Sequence, residues 1–232
     1  MFKRIAQTAG FAGLLAAIVL TLLQSFWVTP LILQAETYEN SAPAAEVQAE
    51  HSHAATPAHS HDAEAWAPQD GWQRTLATGL SNLVVAVGFA LMLAGLFTLR
   101  APGQTWQGLL WGLGGFVTFS LAPSAGLPPE LPGSAAAELL LRQYWWLGTA
   151  VATAAGLGLL AFGRHWPLRS IGLVLLALPH LIGAPQPEVH ASLAPAALEQ
   201  EFILASLLTN ALFWAALGLA AAWFYSRNRH GV

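Results

Sequence analysis

Six apolar stretches, each bounded by charge, proline or aromatic clusters, set the limits on what this chain can become. They run from Ile5 to Thr29, Thr75 to Leu99, Gln104 to Leu121, Tyr144 to Phe162, Ser170 to Gly183 and Phe202 to Tyr225. A helix that crosses a bilayer needs about 20 such residues, and backbone in hydrocarbon must satisfy its own hydrogen bonds, which leaves the helix as the natural spanning element here. The prediction is an all-α integral membrane protein of about six transmembrane helices in three hairpins, a single polytopic domain over residues 1–232. The fifth stretch is short and carries Pro179 near its end, so length alone also allows a re-entrant or interfacial segment there. Met1 to Arg4 ahead of an apolar run has the look of a signal peptide, with Leu33-Gln34-Ala35 as a poor cleavage site. The run is longer than the roughly 7–15 apolar residues of a signal peptide, so it is read as the first helix.

Charge orders these stretches. With six crossings and a cytoplasmic N-terminus, Lys3, Arg4, Arg100, Arg164, Arg169, Arg227 and Arg229 lie inside, and only Arg74 and Arg142 lie outside. That agrees with the excess of Lys and Arg on cytoplasmic loops and places both termini in the cytoplasm. A five-span threading would move Arg227 and Arg229 outside. In the six-span threading all 12 Asp and Glu fall outside. Carboxylates weigh little in orientation, so this one-sidedness bears on function.

Composition agrees. Charged residues make up 9% of the chain, against about 25% in a soluble domain. The nine Lys and Arg offer no basic surface for nucleic acid, and no P-loop sequence is present. The chain has no Cys and two Met, which removes disulfides and the soft ligands that favour Cu(I). Inside the spans the polar side chains are Gln24, Ser25, Asn82, Thr118, Ser120, Thr149, Thr153, His180, Thr209 and Asn210, with no carboxylate or Lys near a midplane. A buried carboxylate proton relay is therefore not expected. Gly108 with Gly112, and Ala152 with Gly156, are small-residue pairs that would let helices approach closely.

Residues 34–72 form the one sizeable polar segment, an acidic, Ala- and Pro-rich external loop with too little apolar surface for a core. It contains two H-x-H pairs, His51 with His53 and His59 with His61, followed by Asp62. Neutral imidazoles at alternate positions of an extended chain are good ligands for divalent Co, Ni, Cu and Zn, so this cluster is the leading metal-site candidate. The other reading is a low-complexity polar loop in which the histidines are incidental.

Each outward-going stretch ends in a proline turn followed by a carboxylate: Pro30 to Glu36, Pro123 to Glu130 and Pro179 to Glu188. This suggests a rough parallel repeat whose corners, with His180, converge on an external vestibule where divalent cations concentrate. Pro, Gly and Glu are also ordinary helix terminators. His180 is the one imidazole inside an expected span, beside a helix-breaking proline. His165 and His230 sit among basic residues and read as surface side chains.

Phe26-Trp27-Val28-Thr29-Pro30-Leu31-Ile32 with Ala35-Glu36-Thr37-Tyr38-Glu39, the His-rich loop, Gly126-Leu127-Pro128-Pro129-Glu130-Leu131-Pro132-Gly133 and Pro179-His180-Leu181-Ile182-Gly183-Ala184-Pro185 together resemble the CbtA family, nearly end to end. The Gly126 to Gly133 string is the most specific part, since neither hydropathy nor propensity demands it. The resemblance implies a cobalt transporter subunit linked to cobalamin synthesis, with a small single-span CbtB subunit as partner. It also implies a multi-pass protein of the bacterial inner membrane. The family is described with five spans, one fewer than the charge pattern favours here.

The combined expectation is a non-enzymatic membrane subunit of a divalent-cation importer for Co2+, with Ni2+ or Zn2+ as alternatives and no permanent cofactor. His51, His53, His59, His61 and Asp62 would capture the ion, and Glu36, Glu39, Glu130 and His180 would receive it. The alternative is an accessory protein that hands ions to a separate permease. A homo-oligomer in the lipid bilayer is compatible with either. No H-E-x-x-H or G-x-S-x-G constellation supports an enzyme.

Overall fold

The computed structural model describes residues 2–41 and 68–227. Six helices lie among these residues. Helix α1 spans Phe2–Ser41, α2 Trp72–Leu99, α4 Leu139–Phe162, α5 Trp166–Ile182 and α6 Ala196–Arg227. Helix α3 occupies residues 107–124 as a run of α-, π- and α-helical turns. Four of them, α1, α2, α4 and α6, are long and apolar enough to cross a membrane. At 1.5 Å per residue α3 is about 27 Å long and α5 about 25 Å, just short of a roughly 30 Å hydrocarbon core.

The helices overrun their apolar stretches at one end. Helix α1 continues to Ser41, so residues 34–41 of the segment expected as loop are helical. Its 40 residues reach about 60 Å, about twice a roughly 30 Å hydrocarbon core, and Glu36 and Glu39 lie in its last two turns. Hydropathy finds where lipid ends and does not find where a helix ends, because Gln, Ala and Glu still support helix in water.

Two of the three corner prolines are accommodated by the same local device. The Thr29 N–H bonds to the Gln24 carbonyl and the Ala122 N–H to the Val117 carbonyl, five residues back in each case. These π-turns widen the helix immediately before Pro30 and Pro123, which lack an N–H and would collide with an ordinary turn. Pro179 instead lies inside α5, near its end, and Gly183 follows at φ 84°, a conformation that favours glycine.

Packing departs from three equal hairpins. Helix α1 packs against α2 and α6, α6 also against α3, and α5 against α4. The partner of α5 is thus the helix before it in the chain, and α6 lies between α1 and α3. The α3–α6 crossing is set by glycine: a Cβ at Gly108 or Gly112 would run into the Gly218 or Trp214 carbonyl. The Trp214 ring covers Gly115 and stacks on Phe119 at 5.7 Å between centroids, with Phe89 at 4.6 Å. Gly156 and Gly172 meet in the same way between α4 and α5.

The two ends of the bundle differ in charge. Arg4 donates to the Tyr225 carbonyl, and Arg100 lies 4.6 Å over the Phe162 ring, which gathers the start of α1 and the ends of α2, α4 and α6 at one end. Every described carboxylate belongs to the other end. Three contacts close that acidic end: Arg74 with Glu36, Arg142 with Glu130, and a bridge between Ser134 and Ser192.

Candidate functional site

The acidic end is built around a second apolar cluster, separate from the one in the bundle. Val28, Leu31 and Ala35 of α1 meet Leu131 of the α3–α4 loop, Ala194 of the α5–α6 loop, and Leu198 and Phe202 of α6. Parts of the first and second corners and the loop after the third therefore do come together. Gln186 Nε2 donates to the Gly126 carbonyl at 3.2 Å, Ala135 N to Ala191 O at 2.8 Å, and Leu193 N to Gly133 O at 3.3 Å. Gly133 turns the chain at φ 78° against Leu193, where any side chain would be strained.

Between these loops and α6 is a cavity of about 260 Å³. Its polar lining includes Glu130, Gln186, His190 and Glu199, with Ser134 and Ser192. Pro128, Pro129, Pro185 and Pro187 form stiff walls. Helix α6 contributes Glu199 and Ile203 one turn apart. His190 Nε2 lies 3.4 Å from Gln186 Oε1, which fixes the ring near the cavity. Carboxylate and imidazole are suitable donors for a borderline divalent ion. No three His, Asp or Glu among the described residues are close enough together to hold a metal. The cavity thus brings two carboxylates, one imidazole and two hydroxyls to one opening without grouping three ligands around a point.

The expected receiving residues occupy different settings. Glu130 lines the cavity and is ion-paired with Arg142 at 2.9 Å, each side chain about 30% exposed. Glu36 is held by Arg74, which also bridges to Asp70 at 2.8 Å. Glu39 is exposed. His180 is exposed and packs edge-on against Trp145, with 6.2 Å between centroids, and it is not a lining residue of the cavity. Trp145 Nε1 donates to the Pro179 carbonyl at 3.3 Å, so that oxygen has partners of its own. His51, His53, His59, His61 and Asp62 lie outside the described residues.

Two features of this end are not legible from the sequence. His190 lies in a loop with no local motif, and its only signal is that it is the remaining outer-side imidazole beyond the His-rich loop and His180. The second feature concerns arginine. The two arginines that the charge count leaves outside, Arg74 and Arg142, are the two that hold Glu36 and Glu130.

The family model described as "Probable cobalt transporter subunit (CbtA)" matches residues 2–226. No curated protein and no solved structure matches the chain.

Proposed function

Because the chain belongs to the CbtA family of probable cobalt transporter subunits, we propose that it is the membrane subunit through which Co2+ enters the cell. The family match over nearly the whole chain carries this reading, and the charge asymmetry of the bundle gives it a direction. Carboxylates gather at one end and attract a divalent cation there. In a bacterial cytoplasmic membrane the basic end faces inward. An inside-negative potential contributes about 2.3 kcal/mol per charge per 100 mV, hence about 4.6 kcal/mol for a divalent ion, and so drives more than a thousandfold accumulation. ATP is not energetically required.

In this proposal His51, His53, His59, His61 and Asp62 capture the ion, and the cavity of Glu130, His190 and Glu199 takes it next. Glu36 and Glu39 extend the acidic surface around the entry, and His180 lies at its margin. A small single-span CbtB subunit fits as a partner in the same membrane. Imidazole must be neutral to bind a metal, so capture weakens as pH falls through about 6.5. Titration of Co2+ binding from pH 7.5 to 5 checks this, and an affinity unchanged at pH 5 would exclude imidazole ligation.

The deciding experiment is uptake of labelled Co2+ by proteoliposomes containing the purified chain, with an imposed inside-negative potential and Ni2+ and Zn2+ as competitors. Potential-driven uptake is expected. Folded protein that binds Co2+ and transports none would assign permeation to a partner and leave this chain as the ion-collecting subunit. Stronger competition by Ni2+ would change the substrate and keep the mechanism.

A further inference from the structure

We propose that the basic end carries a binding site for the phosphate of an anionic phospholipid, set in the turn between α4 and α5 and completed by the end of α2. Among the described residues this end holds Lys3, Arg4, Arg100, Arg164, Arg169 and Arg227 and no carboxylate. Three of these cations lie in or against the α4–α5 turn. Arg100, at the end of α2, lies 4.6 Å over the ring of Phe162, the last residue of α4. Arg164 follows two residues later and is exposed, and Arg169 in the first turn of α5 donates Nε to the Gly163 carbonyl at 3.1 Å. That bond leaves the rest of the guanidinium for a second acceptor.

The surroundings are those of a headgroup. Trp166, at the start of α5, is 75% exposed, and Trp106, before α3, is 56% exposed. Exposed indoles beside arginines are typical of the level where hydrocarbon meets water. Phe162 also packs on Trp111 of α3 at 5.9 Å, so the site has an aromatic floor shared by two helices. Planar guanidiniums bind phosphate oxygens in forked pairs, and basic niches between transmembrane helices take phospholipid headgroups.

Packing gives the lipid a structural task. Helix α5 packs on α4, and it leaves Leu173, Val174 and Leu181 exposed to acyl chains. A phosphate held jointly by Arg100 and by Arg164 with Arg169 ties the α4–α5 pair to α2 at the basic end. Two acyl chains would then cover the apolar flank of α5.

The test uses the full chain in neutral detergent, titrated with phosphatidylglycerol or phosphatidylcholine, with retained lipid read by native mass spectrometry and unfolding temperature by scanning fluorimetry. Phosphatidylglycerol is expected to be retained and to raise the unfolding temperature, and phosphatidylcholine to do neither. Each of Arg100→Gln, Arg164→Gln and Arg169→Gln should weaken retention about fivefold, the equivalent of the roughly 1 kcal/mol contributed by a basic residue at an anionic membrane surface. Lys3→Gln with Arg227→Gln, which removes two charges from the same end away from the turn, should leave retention unchanged. Arg164→Gln alters an exposed side chain and keeps the test valid if the other variants do not fold. Equal retention of both lipids, equal loss in the Lys3/Arg227 variant, or the same stabilisation by inorganic phosphate alone would overturn the proposal. None of these readouts depends on transport.

Discussion

The four helices α1, α2, α3 and α6 and the pair α4–α5 are made of similar residues and are held together very differently. In the four-helix body, glycine lets α3 and α6 approach until Gly108 and Gly112 meet backbone carbonyls, and Trp214, Phe213, Phe89 and Phe119 fill the remaining space. The pair has its own close crossing at Gly156 and Gly172 and joins the body where α4 packs along α3, with tilted ring contacts of Phe119 with Trp146 and Trp111 with Phe162. Helices in lipid gain little from the hydrophobic effect, so close packing decides what is rigid. The acidic cavity lies where the loops flanking the pair meet α6, and the proposed phosphate site is at the opposite end of the same seam. Events along the seam therefore need not disturb the body.

Substitution at the crossing should give the largest effect. Gly112→Leu forces a side chain into the Trp214 carbonyl and the Gly218 backbone together and should abolish recovery of folded protein, because here only backbone surrounds the new atoms and overpacking exceeds the usual cost of about 1–3 kcal/mol. Gly148→Leu, on the exposed side of α4 with open space around it, should be recovered like the unchanged protein. Equal yields by size-exclusion chromatography would remove the distinction between body and margin.

Gly172→Leu is the corresponding test of the pair. Its side chain would meet the Gly156 carbonyl and Leu159, displacing α5 from α4 at a cost of about 1–3 kcal/mol. The body should survive, so the expected result is folded protein with a lower unfolding temperature and reduced Co2+ uptake. Loss of all folded protein would mean that the pair is integral to the body.

At the acidic end of the seam, opposite changes should follow from the two partners of one ion pair. Arg142 competes with any cation for Glu130, and both side chains are partly exposed, so their pairing contributes no more than about 1 kcal/mol. Arg142→Gln should raise the apparent affinity for Co2+ uptake by up to about fivefold, and Glu130→Gln should lower it. The same direction of change in both variants would mean that the pair acts by positioning the α3–α4 loop.

The body was far more legible in the sequence than the seam. Apolar length and charge located six helices, and the Gly108–Gly112 spacing marked a face of close approach on α3 without naming α6 as its partner, because lipid imposes these features on local sequence. The partner of α5 was not legible, since the choice depends on Gly156 meeting Gly172, two residues far apart in sequence with no motif that links them. Nor were the π-turns: Pro30 and Pro123 signal an end, but whether a helix stops or widens depends on where the freed carbonyls find room. The cavity draws on three separate segments, and no local motif links Glu130, His190 and Glu199. Of the candidate residues read from sequence, Glu130 lines the cavity, whereas Glu36 is engaged by Arg74 and His180 rests on Trp145.

The smallest expected effect concerns the two hydrogen bonds that Asn82 of α2 makes across the interface with α1. Asn82 Nδ2 donates to Thr21 Oγ1 at 3.0 Å and to Gln24 Oε1 at 2.7 Å, just where α1 opens into its π-turn. Hydrogen bonds between membrane helices average about 0.6 kcal/mol, because the separated helices find other partners for the same groups. Asn82→Leu should therefore lower the unfolding free energy by about that amount, far below the effect of Gly112→Leu. Steric fit and not polarity would then hold the body together. A loss of several kcal/mol would reverse that conclusion and make the Asn82 amide a determinant of the π-turn, with Gln24 left unsatisfied in hydrocarbon once its donor is gone.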